Sequence, residues 1–298
     1  MKRIILLLLI SPVAVLAQDD LLGELEKGTK PEVDYAFATF KGTRLGNGHT
    51  VETKNAGSLE FIFQHRFGAV SGGAYELFGL DQADVRLGLD YGITDNLSVS
   101  ISRNSVDKTM DGYLKYKALR QSSGAKNFPV TITALAGMAY KLSPEDFEED
   151  SGLENKDRLS YTGQLLIARK FSTNFSFQLM PTFIHKNLVE YNEENDQFAL
   201  GFGGRIKLTK SVALTGEYYH NFSLPDNDTA YDSFYMRYNS LTFGIDIETG
   251  GHVFQLLMTN AIGLTERAFI TETRDDFFSG DIHLGFNVTR TFQLKKSK

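Results

Sequence analysis

The stretch VRLGLDYGITDNLSVSISR, residues 85–103, decides how this chain is read. Val85, Leu87, Leu89 and Tyr91 alternate with Arg86, Gly88 and Asp90. After GITDN, Leu97, Val99 and Ile101 alternate with Ser98, Ser100 and Ser102. A period of two on both sides of a short turn marks a β-hairpin with one apolar and one polar face. From Ser58 onward that period continues almost everywhere. Twelve segments fall near 58–67, 83–91, 97–104, 111–120, 130–140, 158–169, 175–186, 197–208, 212–221, 238–248, 252–260 and 280–292. Most match the ~9–11 residues that a tilted strand needs to cross a bilayer.

The connections fall into two classes. GITDN (92–96), QSSGAKNF (121–128), KFSTN (170–174), TKS (209–211) and ETGG (248–251) are short. Segments 68–82, 141–157, 187–196, 222–237 and 261–279 are longer and polar, and 105–110, six residues against the eight of 121–128, is grouped with them by its place in the alternation. The classes alternate strictly. A β-sandwich has no reason to sort its loops by length at its two ends. An outer-membrane barrel has, with short periplasmic turns and longer outer loops. The expected fold is therefore all-β, a transmembrane antiparallel up-and-down barrel of about 12 strands with both termini periplasmic.

The start of the chain agrees. Lys2 and Arg3 precede IILLLLISPVAVLA, an apolar run too short for a spanning helix, which ends in an A-x-A-like site. Residues 1–17 read as a signal peptide cleaved after Ala17. There is no Cys, so neither a disulfide framework nor a thioether lipid anchor arises. The net charge is −6, and loss of Lys2 and Arg3 takes it to −8. That acidic balance argues against a nucleic-acid partner. The expected partners are outer-membrane lipids, the barrel-assembly machinery during insertion, and a possible periplasmic protein.

Residues 18–57 read as a periplasmic segment or a lumenal plug, with a short helical possibility at DDLLGELEKG and a short strand at YAFATF (35–40). The barrel is expected over 58–294, followed by a basic tail at 295–298. Tyr and Phe gather near the ends of the apolar faces, at Phe67, Tyr91, Tyr140, Tyr161, Phe171, Phe175, Tyr218 and Tyr238. Amphipathic rings belong at headgroup level, although ordinary β propensity accounts for about half of them. Pro181 predicts a bulge or local break, and GFGG (201–204) a kink or close approach. In the eleventh segment Phe254, Leu256 and Met258 are assigned to lipid.

FATFKGTRLGNGHTVET (37–53), LEFIFQHRFG (59–68), LFGLDQADVRLGLDYGITDNLSV (77–99) and DGYLKYKALRQ (111–121) resemble an uncharacterised β-barrel family of Bacteroidota. The resemblance covers most of the chain after the leader and implies an outer-membrane setting. It brings no catalytic residues with it.

Enzymatic readings are weak. His220 and Ser223 are three apart, which puts them on opposite faces of a strand. Asp226, Asp228 and Asp232 lie near His220 without further pattern. The acidic run 144–157 lacks the ordered ligand spacing of a calcium loop. The six His show no paired metal spacing, and no cofactor is expected. GNGHT (46–50) reads as a turn.

The polar face is more informative. Arg66, Arg86, Lys115, Lys117, Arg205 and Lys207 are expected in the lumen. So are Glu60, Asp84, Asp90, Glu217 and Asp246, with Gln64 among them. Charges away from water must pair or line water. Cross-strand position predicts Arg66 beside Asp84, and Arg86 within reach of Gln64 or Glu60. The expectation is a charge ladder along the wall rather than a greasy core. Two functions follow: a narrow channel or transporter for small polar solutes, or a closed barrel that anchors or docks a periplasmic partner. An outer-membrane hydrolase comes third.

Overall fold

The computed structural model describes residues 32–142, 152–190, 192–225, 227 and 236–295. The segment expected to be a leader, the helix expected at 19–28, most of the acidic run 144–157, Asp226, Asp228, Asp232 and residues 296–298 lie outside the described residues.

A short strand, β1 (Val33–Tyr35), precedes the barrel. The wall then begins with β2 (Ser58–Ala69), β3 (Ala83–Thr94), β4 (Leu97–Asn104) and β5 (Met110–Leu119). The three-residue β6 (Ser122–Gly124) pairs with β1 outside the barrel. Eight more wall strands follow: β7 (Thr131–Tyr140), β8 (Leu159–Lys170), β9 (Phe175–Lys186), β10 (Asp196–Lys207), β11 (Val212–Asn221), β12 (Ser240–Thr249), β13 (His252–Thr259) and β14 (His283–Gln293). Neighbours in sequence are neighbours in the wall, and β14 closes antiparallel on β2. Twelve strands thus form an up-and-down barrel with no free edge.

The opening stretch shows why the barrel is turned inside out. In the β3–β4 pair Leu89 faces Ile101 and Asp90 faces Ser100. Leu87, Leu89 and Ile101 are exposed at 45%, 42% and 57%, whereas Arg86 and Asp90 are 1% exposed. The same inversion runs round the wall: Leu114, Leu165, Phe198, Phe243 and Leu256 point out, while Gln64, Gln178 and Asn287 are fully enclosed. In water such a surface aggregates. In a bilayer it is the required one, because strands in a closed barrel satisfy every backbone bond internally while the outer band meets hydrocarbon. No helix among the described residues is long and apolar enough to cross a membrane.

Local irregularities have local causes. Opposite Pro181, which lacks an N–H, the β8–β9 ladder breaks between Gln164/Thr182 and Ile167/Leu179, with no change of register. The β9–β10 ladder continues past it. Phe254, Leu256 and Met258 face outward. The strand expected over 35–40 is displaced to Val33–Tyr35. Residues 39–53 instead turn into the barrel.

Candidate functional site

The lumen is the site, and two segments fill it. From the short-turn end, residues 39–53 enter as a hairpin. Thr50 N donates to Thr43 O at 3.0 Å and Leu45 N donates to Gly48 O at 2.9 Å, so GNGHT closes a tight turn. From the long-loop end, the segment after β13 folds inward as the helix α1 (Glu266–Thr271), capped by Thr265. All six of its residues are buried.

The wall supplies what the hairpin's backbone lacks. Glu217 accepts from Asn47 N at 2.5 Å and from Gly48 N at 3.1 Å. Gln178 accepts from Val51 N and donates to His49 O, both at 2.8 Å. Thr133 donates to Val51 O, Gln255 to Leu45 O and Asn287 to Gly46 O. A buried backbone group without a partner is costly; here wall side chains stand in for a neighbouring strand. Two glycines make the seating possible. A Cβ on Gly48 would lie 2.2 Å from Tyr219 Oη, and one on Gly203 would lie 2.4 Å from Leu45 Cδ2. The second is the close approach expected of GFGG.

Charge holds the hairpin at four further points, one of them Glu52 with Lys117 of the wall at 3.2 Å. Lys41 pairs with Glu248 and Lys54 with Glu60, both on the wall. Arg44 Nη1 donates to Glu266 Oε1 of α1 at 2.7 Å. His49 Nε2 sits 3.0 Å from the same oxygen, and its ring stands edge-on to Tyr113 with centroids 4.4 Å apart. Glu266 therefore joins the segment entering from one end to the helix entering from the other. The joint is incomplete: Arg44 Nε and Nη2 are buried with no protein partner.

The twelve residues expected in the lumen all lie on inward-facing positions. Nine are enclosed: Glu60, Gln64, Arg66, Arg86, Asp90, Lys115, Arg205, Glu217 and Asp246. Lys117 and Lys207, near the short turns, and Asp84, near the long loops, are half-buried. Arg86 binds Gln64 at 2.8 Å and Asp111 at 2.5 and 3.1 Å. Arg66 and Asp84 are partners in register but do not pair. Arg66 turns inward to Asn47 Oδ1 at 2.6 Å and Asn287 Oδ1 at 3.0 Å, and Asp84 accepts from Ser105 Oγ at 3.3 Å. The plug provides the partner that the wall alone suggested at Asp84.

The expectation of a ladder without a greasy core also needs correcting. One side of the lumen is apolar: Leu166, Met180, Ile184 and Tyr219 pack against Phe40, Leu45 and Val51 of the hairpin and Phe269 and Ile270 of α1. Sequence reading missed Arg44, Asn47, His49, Asp111 and Glu266. A usable signal was present in LLIA (165–168), which is apolar at inward and outward positions alike.

Beyond this septum a vestibule opens at each end. The one at the short turns holds about 770 Å³, lined by Phe37, Lys41, Glu52, Lys54, Lys117 and Arg120 among others. The one at the long loops holds about 350 Å³, beside Lys186, Glu193, Arg267 and Glu272. Lys186 and Arg237 there share Glu193 at 2.5 and 2.7 Å, and Arg267 reaches Asp107 at 2.9 Å. His220 and Ser223 do not bond each other; His220 lies by Asn239 and Ser223 accepts from Phe198 N.

The arrangement defines a membrane β-barrel whose polar lumen is occupied by its own chain. The chain belongs to the family described as "Membrane bound beta barrel domain (DUF5777)", which matches residues 40–292. No curated protein matches it. Among solved structures it is similar to the NanC porin, at 10% identity and TM-score 0.48, covering 80% of this chain and 100% of that one. It is also similar to the KdgM porin, at 9% identity and TM-score 0.46, covering 79% and 99%. A third likeness is the COG4313 outer membrane channel from Pseudomonas putida F1, at 13% identity and TM-score 0.44, covering 81% and 98%.

Proposed function

We propose that this barrel is an outer-membrane channel for small polar solutes, held shut by residues 39–53 and α1. The observation that carries the reading is the septum. Two segments that are not part of the wall close a polar lumen between two polar vestibules. A barrel needed only as an anchor is stable with eight strands and wall side chains alone. Twelve strands enclose more space, and here separable chain fills it. In this reading the short turns lie in the periplasm of a Gram-negative cell of the Bacteroidota kind that the sequence resembles, and the loop-length asymmetry supports it. Cleavage after Ala17 and insertion by the barrel-assembly machinery belong to the same reading. Lipids are the standing partners, and the chain acts as a channel rather than an enzyme.

The test is conductance in planar bilayers, comparing the full chain with one lacking residues 36–52. The full chain should pass little current, and the deletion should give stable open channels. A deletion that runs as a folded, heat-modifiable barrel yet stays silent overturns the channel reading. It would favour the second one, a closed barrel that docks a periplasmic partner. The dense bonding of the hairpin, centred on Glu217, is the feature that favours this alternative.

A further inference from the structure

Two outward-facing arginines stand near the short-turn rim. Arg169 near the end of β8 and Arg290 near the end of β14 are both exposed on positions that face lipid. Each is followed two residues later by an exposed phenylalanine, Phe171 or Phe292. Each guanidinium lies over its ring, 5.1 Å from the centroid at Phe171 and 4.9 Å at Phe292. Neither makes an ion pair or hydrogen bond among the described residues, unlike the lumenal arginines Arg44, Arg66 and Arg86. The strands β8 and β14 are six places apart in the ring of twelve, so the two sites lie on opposite sides of the barrel.

A guanidinium held over a ring, with no ion pair or hydrogen bond of its own, has its N–H donors available, and their fork matches a phosphate in a way a lysine does not. The ring fixes the depth, because aromatic side chains settle at headgroup level. The surrounding charge has the same sign. At this rim Arg120, Lys126, Lys210 and Lys295 are also exposed, against Glu32, Asp34 and Asp95. At the opposite rim the exposed charges among the described residues are Asp81, Glu154, Glu190, Glu194 and Asp196 against Lys108, Lys156 and Arg274, so acids outnumber bases there as bases outnumber acids here. The barrel is thus electrically polar along its axis, and its basic end meets one leaflet.

We propose that Arg169 and Arg290 are binding sites for the phosphate groups of anionic phospholipids in the leaflet on the short-turn side. The sites are independent of whether the lumen conducts. Each contributes about a fivefold preference for an anionic over a zwitterionic headgroup, the usual effect of one basic residue at a charged membrane surface.

The experiment is native mass spectrometry of the full chain in micelles supplied with equal phosphatidylglycerol and phosphatidylcholine. The unaltered chain should retain phosphatidylglycerol in clear excess. The double variant Arg169→Gln/Arg290→Gln should bring the ratio close to one. Arg103→Gln, on the outward face at the other rim, should leave it unchanged. Arg169→Lys/Arg290→Lys keeps both charges and serves if the glutamine variant does not fold; it should lower the ratio without abolishing it. A ratio near one for the unaltered chain, or an undiminished ratio in either double variant, overturns the proposal.

Discussion

At the scale of single residues, Glu217 shows how a lumenal charge differs from a surface one. Its carboxylate is 4% exposed and accepts from two backbone amides of the hairpin turn. Glu217→Ala removes the acceptor and leaves both amides buried without a partner, at a cost of roughly 1–3 kcal/mol each. Hydrogen exchange at residues 43–51 should rise in that variant while the wall strands stay protected. Equal protection of the hairpin would mean that the turn holds itself. On the outer face the rule reverses. Leu87 sits mid-strand and meets lipid, so Leu87→Arg should cost roughly 2–4 kcal/mol and reduce heat-modifiable gel mobility. Wild-type mobility in that variant would contradict the assignment of faces. This part of the site was legible in sequence, because Arg86, Asp90 and Glu217 declare their face by alternation alone. Asn47 and Glu266 do not. Their roles depend on partners 170 and 222 residues away in the chain, and no local period reports such a meeting.

At the scale of elements, the wall and its contents follow different rules. Strand positions were readable to within a few residues, since each wall strand carries a period of two and ends at a turn of characteristic length. The hairpin carries Phe40, Leu45 and Val51 at uneven spacing and forms no strand or helix of its own. Its conformation is imposed by side chains of the wall. The helix α1 is six residues long and is likewise too short to stand alone. Their junction predicts a pH dependence. Burial and the neighbouring Arg44 outweigh the pull of Glu266 and bring His49 down to about 3. Burial opposes ionisation of Glu266, but Arg44 and His49 prevail and hold its carboxyl well below the usual range. A released hairpin returns His49 to about 6.5. Between those values the released state binds the extra proton, so the seated state is most stable above about 6.5 and weakens as pH falls. Glu266 adds to the loss at still lower pH, because once released it takes up a proton near its ordinary value. Open probability in bilayers should therefore rise by up to about tenfold per pH unit between 6 and 4. His49→Gln should flatten the upper part of that profile. An open probability that falls on acidification would sink the assignment.

At the scale of the whole molecule, everything rests on direction. Connections at one end of the barrel, with β1 and the entry of the hairpin, are short apart from 120–130, and those at the other, from which α1 descends, are long apart from 105–109. If the short turns face the periplasm, the hairpin is withdrawn toward the cell and α1 is the element that an external solute meets first. The basic rim then faces phospholipid and the acidic rim faces outward. Turned over, the same barrel would present its N-terminal segment and basic rim to the outside, which a chain inserting from the periplasm does not readily reach. The absence of cysteine makes the choice measurable, because any single introduced thiol is the only one in the chain. Lys108 and Lys156 are exposed among the long loops, and Lys126 and Lys210 are exposed at the short turns. On intact cells a membrane-impermeant maleimide should label Lys108→Cys and Lys156→Cys. It should reach Lys126→Cys and Lys210→Cys only after the outer membrane is permeabilised. The reverse pattern would invert the barrel and, with it, the side from which the septum opens.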